Sequence, residues 1–182
     1  MAARKRKRSP FTKPLPLTLL ASMLVFLVMA AWFYRADRFA PDVIPRVLFS
    51  ETANCSHAER LLVAGVMQNR IGNPAFGALS DLRAVALQPG AFSCVNDPAN
   101  SNWQKTRHPL LMSDAERQIW TQCIQIADSS IPPAKGPTGN LLVFYHDKSI
   151  TTPRSWNNKT WHVTPEVTTQ HFVFYSVEHT HH

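Results

Sequence analysis

The sequence predicts an α+β, mostly helical domain with a small β-sheet, preceded by one N-terminal transmembrane helix. Three observations predict it. Two Ser-x-x-Glu boxes, at Ser56 and Ser113, each open a helical pattern; short runs rich in Val, Phe and Tyr are confined to the C-terminal part; and an uncharged apolar run extends from Pro14 to Tyr34.

The first element is the span. Arg4, Lys5, Arg6, Lys7, Arg8 and Lys13 precede it, and Trp32, Phe33 and Tyr34 close it. Positive charge before a single span and an aromatic belt after it place residues 1–13 in the cytoplasm as a basic tail, 14–34 in the membrane, and the chain from Arg35 onward outside. A cleaved signal peptide is the rival, since Val28-Met29-Ala30 loosely resembles a cleavage site. The apolar run outlasts a signal core of roughly 7–15 residues and continues past that site through bulky aromatics, which favours the anchor. The net charge of +7 invites a nucleic-acid reading. All twelve acidic residues lie after the span, where they face thirteen basic ones, so the excess belongs to topology and no nucleic-acid partner is expected. Residues 35–45, with Pro41 and Pro45, read as a tether, 46–178 as one domain, and 179–182 as a tail.

Within the domain, Ile44, Val47, Leu48 and Glu51 recur at i, i+3, i+4, i+7, which sets a carboxylate on the apolar face of a helix. Desolvation there favours the protonated acid, so Glu51 is the candidate proton donor. The bland alternative ends the helix before Glu51. A second helix starts at the Ser56 to Glu59 box, with Leu61 to Met67 as buried core. From Asn73 to Leu111 the chain reads as loops around one short helix at Leu82 to Leu87, with Gln88, Phe92, Asn96 and Trp103 as cleft candidates. The Ser113 to Glu116 box opens a helix to Asp128 with Ala115, Ile119, Cys123, Ile126 and Ala127 as its stripe, before Ile131-Pro132-Pro133. Asn140 to His146 and Phe172 to Val177 are the strands, and a polar loop holding Trp156 and Trp161 joins them.

Four partial motifs in order carry a resemblance. They are Glu51-Thr-Ala-Asn-Cys55 with Leu62-Val-Ala-Gly-Val-Met-Gln-Asn-Arg70, Leu87-Gln-Pro-Gly-Ala-Phe-Ser93, Pro137-Thr-Gly-Asn-Leu-Leu-Val-Phe-Tyr-His146, and Trp156. Together, from about Arg46 to Tyr175, they resemble the SleB-type cell wall hydrolases, whose signatures read E-A-R-G-E, Q-P-G-Q-F-S and D-P-T-G-G-A-x-x-Y-H. The resemblance implies a lysozyme-like fold and cleavage of the peptidoglycan bond between N-acetylmuramic acid and N-acetylglucosamine. It makes Glu51 the catalytic acid and implies a substrate-binding set of Gln88, Phe92, Tyr145, His146 and Trp156, with Trp156 stacking on sugar and Trp161 undecided. Cys55 stands where the family has its second glutamate, Ala91 replaces a glutamine and Asn140 a glycine; His171 has no secure counterpart.

A missing second acid favours a lytic transglycosylase over a muramidase, with Asp97 and Asp147 as the places to look for one. The rival class is an envelope scaffold or glycan-binding protein without catalysis, and a metal-dependent hydrolase is the remaining alternative. Expected partners are peptidoglycan glycan strands, the membrane, and an envelope protein complex, at the bacterial inner membrane with the domain in the periplasm or cell wall space. Three cysteines in an exported domain suggest one bridge and one free thiol. The pairing expected is Cys94 with Cys123, which leaves Cys55 reduced beside Glu51. No cofactor and no metal are expected, because His57, His146, His171 and Asp147 show no ligand spacing.

Overall fold

The structure, a computed structural model, describes residues 21–30, 43–97, 99–151 and 161–179. The chain divides into two compact units, Met1–Ala40 and Pro41–His182. In the first, residues 21–30 form helix α1, with Met23, Leu24, Phe26 and Leu27 exposed. Among the described residues no helix is long and apolar enough to cross a membrane. The rest of the expected 14–34 span lies outside them.

The second unit holds α2 (Val43–Thr52), α3 (His57–Arg70), α4 (Leu82–Leu87), α5 (Ser93–Asn96), α6 (Ser101–Lys105) and α7 (Asp114–Asp128). The strands β1 (Leu142–Asp147), β2 (Trp161–Thr168) and β3 (Phe172–His179) follow. Helix α2 begins inside the stretch expected as tether. Pro45 is tolerated because it falls in the first turn, where an amide has no intrahelical partner. The helix also runs through Glu51 to Thr52, which settles the question of where it ends.

Helix α2 is the centre of the domain, packed by α3, α4, α5, α6 and α7. Val43, Val47, Leu48 and Phe49 are fully buried, each contributing about 2 kcal/mol of apolar burial. Arg46 is buried with them. Its guanidinium lies 4.0 Å from the centre of the Trp103 ring and its Nε donates to Thr106 Oγ1 at 2.9 Å.

Both expected capping boxes are formed. Ser56 Oγ accepts from the Glu59 amide and Ser113 Oγ from the Glu116 amide, and each glutamate accepts from its serine's amide in return. Along α7, Cys123 and Ile126 are buried as expected, whereas Ala115 is exposed and Trp120 fills the stripe, edge-on to Phe49 at 6.0 Å. Gly65 in α3 is needed for packing: a Cβ there would lie 2.7 Å from Ala134 Cβ, so a side chain would push the 132–134 segment off the helix.

The sheet has the order β1-β3-β2 and is antiparallel throughout. Strand β2 occupies part of the segment expected as polar loop. Pro165 and the flanking polar residues hide it from a hydrophobic pattern, but an edge strand tolerates a missing amide, and the register shifts between Pro165 and Val167 in a bulge. The loops expected between Asn73 and Leu111 contain α5 and α6 besides α4. Asp81 caps α4 by accepting from the Ala84 amide, and Asn100 caps α6 by accepting from the Trp103 amide.

Candidate active site

Glu51 sits in the last turn of α2, half-buried, in the wall of a cleft of about 670 Å³. Tyr145, His146 and Asp147 of β1 line the same cleft, with Arg70 and the turn carrying Gln88 and Gly90. Tyr145 Oη donates to Glu51 Oε2 at 3.3 Å. Burial, and then the charge of Glu51, push the Tyr145 phenol well above its ordinary pKa, so the hydroxyl keeps its proton and remains a donor. Phe172 and Phe174, with ring centres 5.1 and 5.7 Å away, hold the tyrosine in place.

Arg70 was not anticipated as a site residue. It ends the apolar helix α3 and, 5% exposed, donates from Nε to the Val143 carbonyl at 2.8 Å while lying over Phe76 and Phe92 at 4.8 and 5.4 Å. Burial lowers its pKa to about 10, still well above neutral, and the nearby Glu51 carboxylate favours the charge, so it is cationic at neutral pH. A fixed positive charge therefore stands near the carboxylate. The sequence signal was its place just past the apolar run Leu61 to Met67. Phe76 and Phe144 were also missed; their rings pack 5.0 Å apart at the cleft and give it apolar faces.

Gln88 lines the cleft, with its Nε2 donating to the Phe76 carbonyl at 3.2 Å. His146 lines it too, but both ring nitrogens are engaged, Nε2 at 2.8 Å from Tyr175 Oη and Nδ1 at 2.6 Å from the Asp147 carbonyl. Phe92 does not face the cleft. It is 1% exposed and packed into the core beneath Arg70, because it stands at the cap of α5 with its ring turned inward. Trp103 is core under Arg46, and Asn96 is spent on the Phe92 carbonyl. Trp156 lies outside the described residues, and Trp161 opens β2. Of the two acids considered as partners for Glu51, Asp97 is exposed and caps the Ala99 amide. Asp147 lines the cleft, and hydrogen bonds from Ser149 hold its carboxyl below the ordinary range.

The expected Cys94–Cys123 bridge is not formed. All three cysteines are free; Cys94 meets Glu51, and Cys123 on α7 lies near Arg60. Burial first, and the Glu51 charge second, raise the Cys94 thiol. Cys55, expected beside Glu51, is half-buried and faces Glu59 more strongly, with its thiol pushed up to about 11 by burial and then by that carboxylate. Arg60 ties this corner down, donating from Nη1 to the Thr52 and Cys55 carbonyls at 2.8 and 2.9 Å and from Nη2 to Gln122 Oε1 at 3.1 Å.

A family model described as Cell Wall Hydrolase matches residues 55–175, more than half of the chain, beginning just past Glu51. The crystal structure of the catalytic domain of the Bacillus cereus SleB protein is similar, at 17% identity over 78% of this chain and 91% of that one, with a TM-score of 0.46. No curated protein matches. The family match extends from the turn after α2, through Arg70 and the β1 floor of the cleft, to Tyr175 in β3, and by it the chain belongs to the cell wall hydrolase family.

Proposed function

We propose that this protein cleaves the glycan strands of peptidoglycan at the bond between N-acetylmuramic acid and N-acetylglucosamine, with Glu51 as its general acid. The observation that carries the reading is Glu51 itself, a half-buried carboxylate in the cleft wall with Tyr145 Oη 3.3 Å away. Glu51 would protonate the leaving glycosidic oxygen while the ring becomes oxocarbenium-like. As a carboxylate it would then take the proton of the substrate's C6 hydroxyl, whose oxygen closes a 1,6-anhydro ring. That is the lytic transglycosylase route, and a single acid suffices for it.

A second reading is favoured by Asp147, which lines the same cleft and is held ionised by Ser149. There it would orient a water, and the products would be ordinary reducing ends, as for a muramidase. Digestion of purified sacculi followed by mass spectrometry of the ends separates the two: 1,6-anhydromuropeptides support the first, reducing ends the second. Digestion by Glu51→Gln at the wild-type rate overturns both.

Membrane anchoring through residues 14–34, with the domain in the periplasm, belongs to the same proposal, as does a place in an envelope protein complex. The anchor is supported by the basic cluster Arg4 to Arg8 before an uncharged apolar run. A reporter fused after His182 that is active outside the cytoplasm is the expected result, and one active only inside it would overturn the topology.

A further inference from the structure

The corner after α2 holds a group that the cleft does not use. A Cys55 thiol sulfur, a Glu59 carboxylate oxygen and a His171 ring nitrogen all lie within 4.8 Å of one another. They come from three places in the chain: the turn after α2, the first turn of α3, and the turn joining β2 to β3. Of the histidines weighed from the sequence, His57 and His146 are not in this group.

We infer that Cys55, Glu59 and His171 form a binding site for a divalent transition ion of the zinc class. The donor set is the first reason. Sulfur, imidazole nitrogen and carboxylate oxygen together suit zinc or cobalt and not magnesium or calcium, which take oxygen ligands. The second reason is that the ligands are already held. Glu59 Oε2 accepts from the Ser56 amide at 2.9 Å and from Ser56 Oγ at 3.0 Å, and Oε1 accepts from the His171 amide at 3.0 Å. The His171 ring is placed by its Nδ1, 3.1 and 3.2 Å from the two carboxylate oxygens, and its carbonyl accepts from the Lys148 amide at 2.7 Å. The Cys55 amide donates to the Thr52 carbonyl at 3.0 Å. The Ser56 amide and hydroxyl hold the Glu59 carboxylate from behind, as outer partners do around a bound metal, and the ion would take the place of the contact between His171 Nδ1 and that carboxylate.

Access is the third reason. The Glu59 side chain is 4% exposed but that of His171 is 31% exposed, and Cys55 is half-buried, so the group is closed at Glu59 and open to solvent on the His171 side. Three protein ligands leave a fourth tetrahedral position for water. A dication there would also offset the repulsion between a thiolate and a carboxylate this close. Its effect would be to staple the turn that follows Glu51 to the β2–β3 turn.

The test is a cobalt titration of the full chain after dialysis against a chelator, followed by displacement with zinc and without any glycan present. The expected result is one equivalent bound with a thiolate-to-cobalt charge-transfer absorption, lost in Cys55→Ser. Affinity should fall at least about tenfold in His171→Gln. Zinc should raise the thermal midpoint of the wild type and not of Cys55→Ser. Metal taken up by the terminal histidines His179, His181 and His182 brings no thiolate band. Absence of the band in the wild type overturns the inference, as does its persistence in Cys55→Ser, which would assign it to Cys94 or Cys123. Because no sugar is involved, failure of the glycosidase reading leaves this result standing, and the reverse.

Discussion

Glu51 and Glu59 lie on opposite sides of one turn, eight residues apart, and the same side chain does different work in each place. Glu59 is 3% exposed and accepts from the Ser56 amide and hydroxyl and from the His171 amide. Burial alone would raise its pKa; hydrogen bonds from Thr169, Ser56 and His171 outweigh it and hold the carboxyl at about 2. Glu51 accepts one long bond from Tyr145, meets the Cys94 thiol, and opens to the cleft. The difference teaches that burial by itself does not make an acid catalytic. A carboxylate whose oxygens are spoken for by fixed donors is a structural anion, and one left facing a cavity can exchange a proton with what enters it.

The largest expected break in that comparison is Glu51→Gln. It should lower sacculus digestion by about a thousandfold, within the range general acid catalysis supplies, and leave the thermal midpoint unchanged or higher. Its mirror is Glu59→Gln, which should cost on the order of 3 kcal/mol at neutral pH, from a shift between about 2 and the ordinary 4.5. The sign follows from the depressed folded value. The stabilisation is present above about 4.5 and is lost as pH falls toward 2, so denaturant melts across that interval should show the wild type descending to meet the variant.

Arg60→Met strikes the piece of chain between the two glutamates. With the Thr52 and Cys55 carbonyls and Gln122 left without their donor, it should lose about 2 kcal/mol of stability and part of the activity, read by denaturant melts and sacculus digestion. The smallest effect expected is Tyr145→Phe. Removing one long hydrogen bond should cost under about 1 kcal/mol of stability, and a fall in turnover with little change in substrate binding would mark the hydroxyl as steadying Glu51.

What could be read ahead of the structure was local. Ser56 and Ser113 announced α3 and α7 because a capping box is written within four residues, and the Ile44 to Glu51 spacing placed the acid on α2. What could not be read depended on distant pairings. Phe92 and Trp103 look like cleft aromatics until Arg70 and Arg46 are found lying over them. β2 is invisible to patterning because an edge strand with Pro165 takes its order from β3. The partners of the three thiols, and the meeting of His171 with Glu59 across 112 positions, are products of the fold alone.

The attachment of β1 to α3 bears on how this protein can diversify. Asn69 Nδ2 donates to the carbonyls of Ala134 and Leu142 at 2.7 and 2.8 Å, and Arg70 donates to that of Val143. Those are main-chain atoms, which every amino acid carries. On the strand's own side the suspension is thus made by groups that mutation does not alter, so exchanging Phe144 to Asp147 leaves the bonds from Asn69 and Arg70 in place. Selection can retune what the cleft accepts while the scaffold that presents Glu51 stays as it is.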